Sequence, residues 1–123
     1  MLVRRGEDNE VFLLGSACTT MNDEGSGRVV YSDAIHLHGP LAMAAAPNGD
    51  LLVSNSNVFN VDPTRPSEIV EFTKSGKFVK QLSVDPNLGG SFGLAVNLIN
   101  NVASFAAVDD NAANLTIYTI PQP

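Results

Sequence analysis

Gly39-Pro40-Leu41-Ala42-Met43, Leu51-Leu52-Val53-Ser54-Asn55 and Ile69-Val70-Glu71-Phe72 decide how this chain is read, because each has an echo further along. The first answers to Phe92-Gly93-Leu94-Ala95-Val96, the second to Ala106-Ala107-Val108-Asp109-Asp110, and the third to Leu115-Thr116-Ile117-Tyr118. Leu41 and Leu94 stand 94 − 41 = 53 positions apart. A recurrence at this spacing marks a structural unit that cannot bury both its faces alone and needs a neighbour of its own kind.

Around these stretches, short runs of Val, Ile, Phe, Tyr and Leu alternate with turn clusters, and no long segment carries a helical period. That pattern is all-β. Strands are predicted at 11–14, 28–34, 41–46, 51–54, 68–72, 78–82, 92–96, 102–108 and 115–120. Within 28–34, alternation puts Val29 and Tyr31 on one face and Val30 and Ser32 on the other. Residues 41–46 have helical propensity but are too few, and Pro47 pushes the residue before it out of the helical region. Pro47-Asn48-Gly49 and Thr73-Lys74-Ser75-Gly76 read as tight turns. Residues 16–27, 55–67 and 85–90 read as polar loops.

The spacing is near that of a β-propeller blade, and Ala42, Ala44 and Ala45 suit a crowded innermost strand. Residues 39–84 then form one complete four-stranded blade, and 85–123 an incomplete one of three strands. Residues 1–38 hold the N-terminal strands of a preceding or shared blade. The whole chain, 1–123, is a single partial-propeller domain. A ring needs at least four blades of roughly 40 residues, so 123 residues cannot close one alone.

Composition narrows the function classes. Hydrophobic residues make up 44% of the chain, which is the range of folded proteins. The net charge of −6 argues against nucleic acid and against an anionic membrane surface. No apolar run approaches the roughly 18 residues that span a bilayer. With Cys18 the single cysteine, no intrachain disulfide can form. Small residues before Cys18 resemble a lipoprotein cleavage site. The apolar stretch 11–14 is too short for a signal peptide, and Glu7, Asp8 and Glu10 stand where positive charge belongs, so Cys18 reads as a structural thiol. The compartment is not encoded; the sequence expectation is a soluble chain.

At Gly39 to Ala42, Pro47 to Asp50, Leu51 to Asn55, Ile69 to Phe72 and Gly76 to Phe78, the chain resembles the NHL-repeat β-propellers. Gly93-Leu94-Ala95, Val108-Asp109-Asp110 and Asn114-Leu115 give the second copy. The Asn-His-Leu triplet itself is absent, 56–67 is an insertion, and the second blade's turn becomes 97–101, without glycine. The resemblance implies a six-bladed ring for a complete relative, serving as a binding or interaction platform. It also implies a kinship with gluconolactonase-like propellers, some of which are metal-dependent hydrolases.

Several stretches carry candidate chemistry. Gly89-Gly90-Ser91-Phe92-Gly93 matches the Gly-x-Ser-x-Gly nucleophile pattern. That elbow needs a strand leading in and a helix leading out, whereas here a loop leads in and a strand leads out. His36 and His38 lie on one face of an extended segment near Asp33, a metal pair lacking a third ligand; the plainer reading is two hydrogen-bonded loop residues. Asp109, Asp110 and Asn111 occupy the repeat position of Ser54, Asn55 and Ser56. Strand ends of this kind point at one mouth of a propeller channel, where Asn55, Asp109, Asp110 and Asn111 could gather oxygen ligands for Ca2+. Asp and Asn are also ordinary turn formers. Asn114-Leu115-Thr116 satisfies the glycosylation rule, a short match of little weight.

Two function classes follow. The first is a non-catalytic binding or interaction module with no cofactor. The second is a metal-dependent, lactonase-like hydrolase with its site at the channel mouth. The missing fourth strand after residue 120 and the surplus strands before residue 39 predict head-to-tail association. A neighbour's residues 28–34 would complete the last blade, and three copies would close a ring.

Overall fold

A computed structural model describes residues 10–14, 27–55, 62–66 and 68–121. Among them lie nine strands and no helix: β1 (Glu10–Leu14), β2 (Gly27–Ser32), β3 (Pro40–Ala45), β4 (Leu51–Asn55), β5 (Glu68–Phe72), β6 (Phe78–Ser83), β7 (Ser91–Ile99), β8 (Val102–Asp109) and β9 (Asn114–Pro121). They form three antiparallel sheets, β1-β2, β3-β4-β5-β6 and β7-β8-β9, each in chain order. The all-β class, the four-stranded sheet and the three-stranded sheet agree with the sequence. The Cys18 reading and most of the loops at 16–27 and 56–67 lie outside the described residues.

The sheets stack face to face, with the four-stranded one in the middle. Alternation along β4 and β5 sends Leu51, Val53, Val70 and Phe72 towards β2, where they pack with Val30, Tyr31 and Leu37. Leu52 and Ile69 point the other way and pack with Phe105 and Ala107, flanked by Leu82, Leu94, Val96 and Tyr118. Every residue of β4 and β5 is therefore buried. A strand covered on both faces needs side chains that tolerate burial in both directions, which is why Leu51-Leu52-Val53 and Ile69-Val70 run without polar interruption.

One ring stack crosses the first seam, and a cross-strand pair within the last sheet lines the second. Tyr31 lies on Phe72 with centroids 4.4 Å apart, and Phe105 on Tyr118 at 4.5 Å. The β5–β6 turn also touches the leading sheet. A Cβ on Gly76, whose φ is +86°, would clash with the Val30 carbonyl oxygen, so only glycine fits both the turn and the contact.

Two local expectations are corrected. Within 28–34, both Val30 and Tyr31 are buried while Val29 is 40% exposed. The β1–β2 register shifts between Val11 and Phe12, opposite Val30, so one extra residue brings two successive side chains to the same face. In the last sheet, residues 97–99 continue β7, and the turn is only Asn100-Asn101, at φ 50° and 59°. Two positive-φ residues make a tight hairpin, and asparagine takes that conformation in place of glycine.

The strand pairing also resets the repeat. Pro40 pairs with Asn55 and Ser91 with Asp109, each just before a register shift on the first strand. Met43 then pairs with Val53, while Leu94 pairs with Ala107. Ser91 thus corresponds to Pro40 and Asp109 to Asn55, two positions and one position away from the match made on sequence. The third-strand match stands: Val53 faces Val70 as Ala107 faces Thr116, so Ile69 corresponds to Leu115 and Phe72 to Tyr118.

Candidate functional site

The polar residues at the ends of β4 and β8 and the starts of β5 and β7 gather at one end of the stacked sheets. They form two clusters, one in each seam. Asn55 is fully buried, and its parity turns it towards the leading sheet. Its amide nitrogen donates to the His36 carbonyl at 2.6 Å and to Glu68 Oε1 at 3.0 Å. Glu68 opens β5 and is 1% exposed. Asp62 and Arg65, from the loop between β4 and β5, close this cluster from outside. Arg65 Nη1 donates to the Ile35 carbonyl at 3.1 Å and lies 3.4 Å from Asp62 Oδ2. His38 Nε2 donates to the same carbonyl at 2.9 Å and stands 3.6 Å from Asp62.

His36 does not share a site with His38. Its ring stacks on Phe78 at 3.8 Å and its Nδ1 lies 2.5 Å from Asp33. Asp33 also accepts from the Tyr31 hydroxyl and from the backbone N–H groups of Ile35 and His36. Burial pushes this carboxyl's pKa up, but the hydrogen bonds outweigh it and hold it down at about 2. The 33–38 turn is thus tied to its own strand, which positions the His36 carbonyl for Asn55.

The second cluster holds the remaining sequence-predicted residues. Asp109 is 5% exposed on the face that carries Phe105 and Ala107, and its Oδ1 accepts from the Ala112 N–H at 3.2 Å, capping the β8–β9 turn. Asp110 is exposed, and its backbone N–H donates to Gly90 O at 2.8 Å. The Asn111 amide donates to Leu88 O at 2.9 Å and to Asp85 at 3.2 Å, fastening the loop before β7. Ser54, on the second seam's side of β4, ties the central sheet to β7: its hydroxyl donates to Phe92 O and accepts from the Ala42 N–H. Asn55 and Asp109 therefore share an end of the molecule but enter different seams. Among the described residues, no three His, Cys, Asp or Glu side chains gather in a metal-holding group.

Ser91 of the Gly-x-Ser-x-Gly stretch starts β7 fully buried, and the segment that follows is a strand. It lacks the exposed hydroxyl and the helix that a nucleophile elbow requires. Three buried polar atoms at this end, Asn55 Oδ1, Glu68 Oε2 and Ser91 Oγ, have no hydrogen-bond partner among the described residues. In the seam between the central and last sheets, at the opposite end from Ser91, a cavity of about 160 Å3 is lined by Leu52, Ile69, Leu82, Val96 and Phe105, with the Glu71–Lys80 ion pair (3.2 Å) at its wall.

Sequence reasoning missed Glu68, Asp62 and Arg65. A signal existed for Glu68: an acid opening an apolar strand, at the position that pairing equates with Asn114, opposite Asp109. Burial raises the Glu68 pKa, against the opposing pull of Asn55, His38 and Arg65. A raised carboxyl pKa favours the fold while the group is protonated, and that stability is lost as pH rises through the folded value. Glu68→Gln should therefore gain on the wild type as pH climbs above 4.5, the ordinary value of the carboxyl. Urea midpoints across pH would show the slopes diverging; parallel slopes would mean that Glu68 is not penalised by its burial.

No family model matches the chain, and no curated protein or solved structure matches it either. Among the described residues, no helix is long and apolar enough to cross a membrane.

Proposed function

We propose that this chain is a non-catalytic binding or interaction module built on propeller-like blades of the NHL-repeat kind. The supporting observation is the outer face of the three-stranded sheet. Val108 (38% exposed), Leu115 (58%) and Ile117 (64%) share that face, with Ala95 and Ala106 between them. Scattered apolar residues on a surface need no explanation, but a contiguous set on one sheet face marks a contact surface. The polar strand ends, by contrast, are largely spent on holding backbone: Asn55, Asp109 and Asn111 all bond main-chain groups.

A second reading, a metal-dependent hydrolase of the lactonase-like kind, is favoured by two neighbouring buried oxygens, Asn55 Oδ1 and Glu68 Oε2, without a partner among the described residues. Thermal unfolding with and without Ca2+ and other divalent ions separates the two. For an interaction module, Tm stays within about a degree at millimolar ion. A rise of several degrees, abolished by Asp109→Ala or Asn55→Ala, would overturn that reading in favour of the hydrolase.

A further inference from the structure

We infer that the bare face of the three-stranded sheet, together with the free edge of β9, docks a second copy of this chain. This rests on the interaction-module reading and names the partner. The chain itself contains the covered version of the same surface. On the central sheet, Ala42, Ser54 and Ile69 form one cross-strand row; on the last sheet the matching row is Gly93, Val108 and Leu115. A Cβ on Gly93 would sit 3.2 Å from Val108 Cγ2, which confirms that the two share a face. Ile69 is 1% exposed because the next sheet covers it, whereas its counterpart Leu115 is 58% exposed. What covers Ile69 is the apolar face of a sheet of this same repeat. The chemistry that fits Leu115 is therefore another such sheet, and one sequence supplies it most simply through a second copy.

The other end of the chain has the complementary deficit. Among the described residues, the leading sheet has two strands against the four it faces. Met43, on the leading side of β3, is only half-buried, and Ala45 on the same side is exposed. β9 pairs with β8 alone among the described residues. Joining its edge to the two-stranded sheet of another copy makes one continuous sheet. The same step carries the Leu115 and Ile117 face over the half-open side of that copy's central sheet. The contact is head-to-tail, so it propagates until a ring closes. Each copy then contributes one four-stranded sheet and one shared sheet, and three copies give the six blades that the NHL-repeat resemblance implies.

Sedimentation velocity at about 50 μM tests this. The expected particle is a trimer of about 39 kDa, three times the 13.0 kDa chain. Leu115→Glu with Ile117→Glu should reduce it to the single-chain mass while the far-ultraviolet β signal is kept. Should that variant lose its β signal, Ala95→Glu on the same face must dissociate the particle instead. A wild-type protein at the single-chain mass, or folded variants that keep the wild-type mass, would overturn the inference. A monomer leaves the interaction module standing with a different partner, whereas a divalent-ion response removes the module itself.

Discussion

Phe72→Ala lowers the folding free energy by about 3–5 kcal/mol, the largest loss expected from any single truncation in this chain. Phe72 is fully buried and lies where the leading and central sheets meet. Its ring stacks on Tyr31 at an interplanar angle of 15°, so its removal costs both the transfer of an aromatic side chain and a paired ring surface. The site cannot collapse readily. Leu51, Val53 and Val70 are fixed by their strands, and the Gly76 turn already touches the Val30 backbone. Equilibrium urea unfolding measures the loss, with Val79→Ala, 43% exposed on the neighbouring strand, as a control that should cost about 0.5 kcal/mol or less. A Phe72→Ala cost no larger than the control would mean that the leading sheet is not seated on the central one.

Asn55→Ala should cost about 2–4 kcal/mol, although the residue is polar and stands at a strand end. Its amide satisfies two acceptors at once, the His36 carbonyl and Glu68 Oε1. Truncation takes that donor from both acceptors, and an unsatisfied buried group costs about 1–3 kcal/mol. One of them is a carboxylate whose charge burial already disfavours. The penalty is therefore greater at neutral pH than at pH 4, where Glu68 takes up a proton and its demand for a donor falls. Asn111→Ala gives the contrast: its amide bonds are on the surface, and its loss should stay below about 1 kcal/mol. The same unfolding assay at two pH values distinguishes them. Equal, pH-independent losses at Asn55 and Asn111 would remove Asn55 from the centre of the seam.

The strands were legible because Leu51-Leu52-Val53 and Ile69-Val70 put apolar side chains on both faces of β4 and β5, and Pro, Asn and Gly bound the runs. Even 41–46, with four alanines and methionine, becomes a strand, since Pro47 and the pairing with β4 override its propensity. Registers were less legible. A bulge adds one residue, and a single residue exchanges the faces; this is why Val30 joins the core beside Tyr31. No composition or period marks such an insertion. Asp109, not Asp110, is the counterpart of Asn55 because cross-strand pairing, not likeness of residue type, sets the match.

The candidate site was half legible for a related reason. Asn55, Asp109 and Asn111 were identified as polar strand ends, and they lie at one end of the sheets. Asn55 and Asp109, however, enter different seams, because equivalent positions of successive sheets each face the sheet before, and Asn111 stays on the surface. Glu68 escaped notice because a strand's first residue is usually solvated, and here the 33–38 turn and Arg65 cover it. The histidines show the same limit: alternation along 36–38 put them on one face, but Asp33 captures His36 locally and separates the two rings.

Amide hydrogen exchange of β9 as a function of protein concentration tests most directly the claim that the last sheet is completed by another copy. Strands β4 and β5, enclosed within each chain, should exchange slowest at every concentration. The account predicts that exchange across 114–120 slows at least tenfold between 1 and 100 μM, as the free edge of β9 gains its partner and the Leu115 and Ile117 face is covered. Exchange in β9 that is fast and independent of concentration would contradict it.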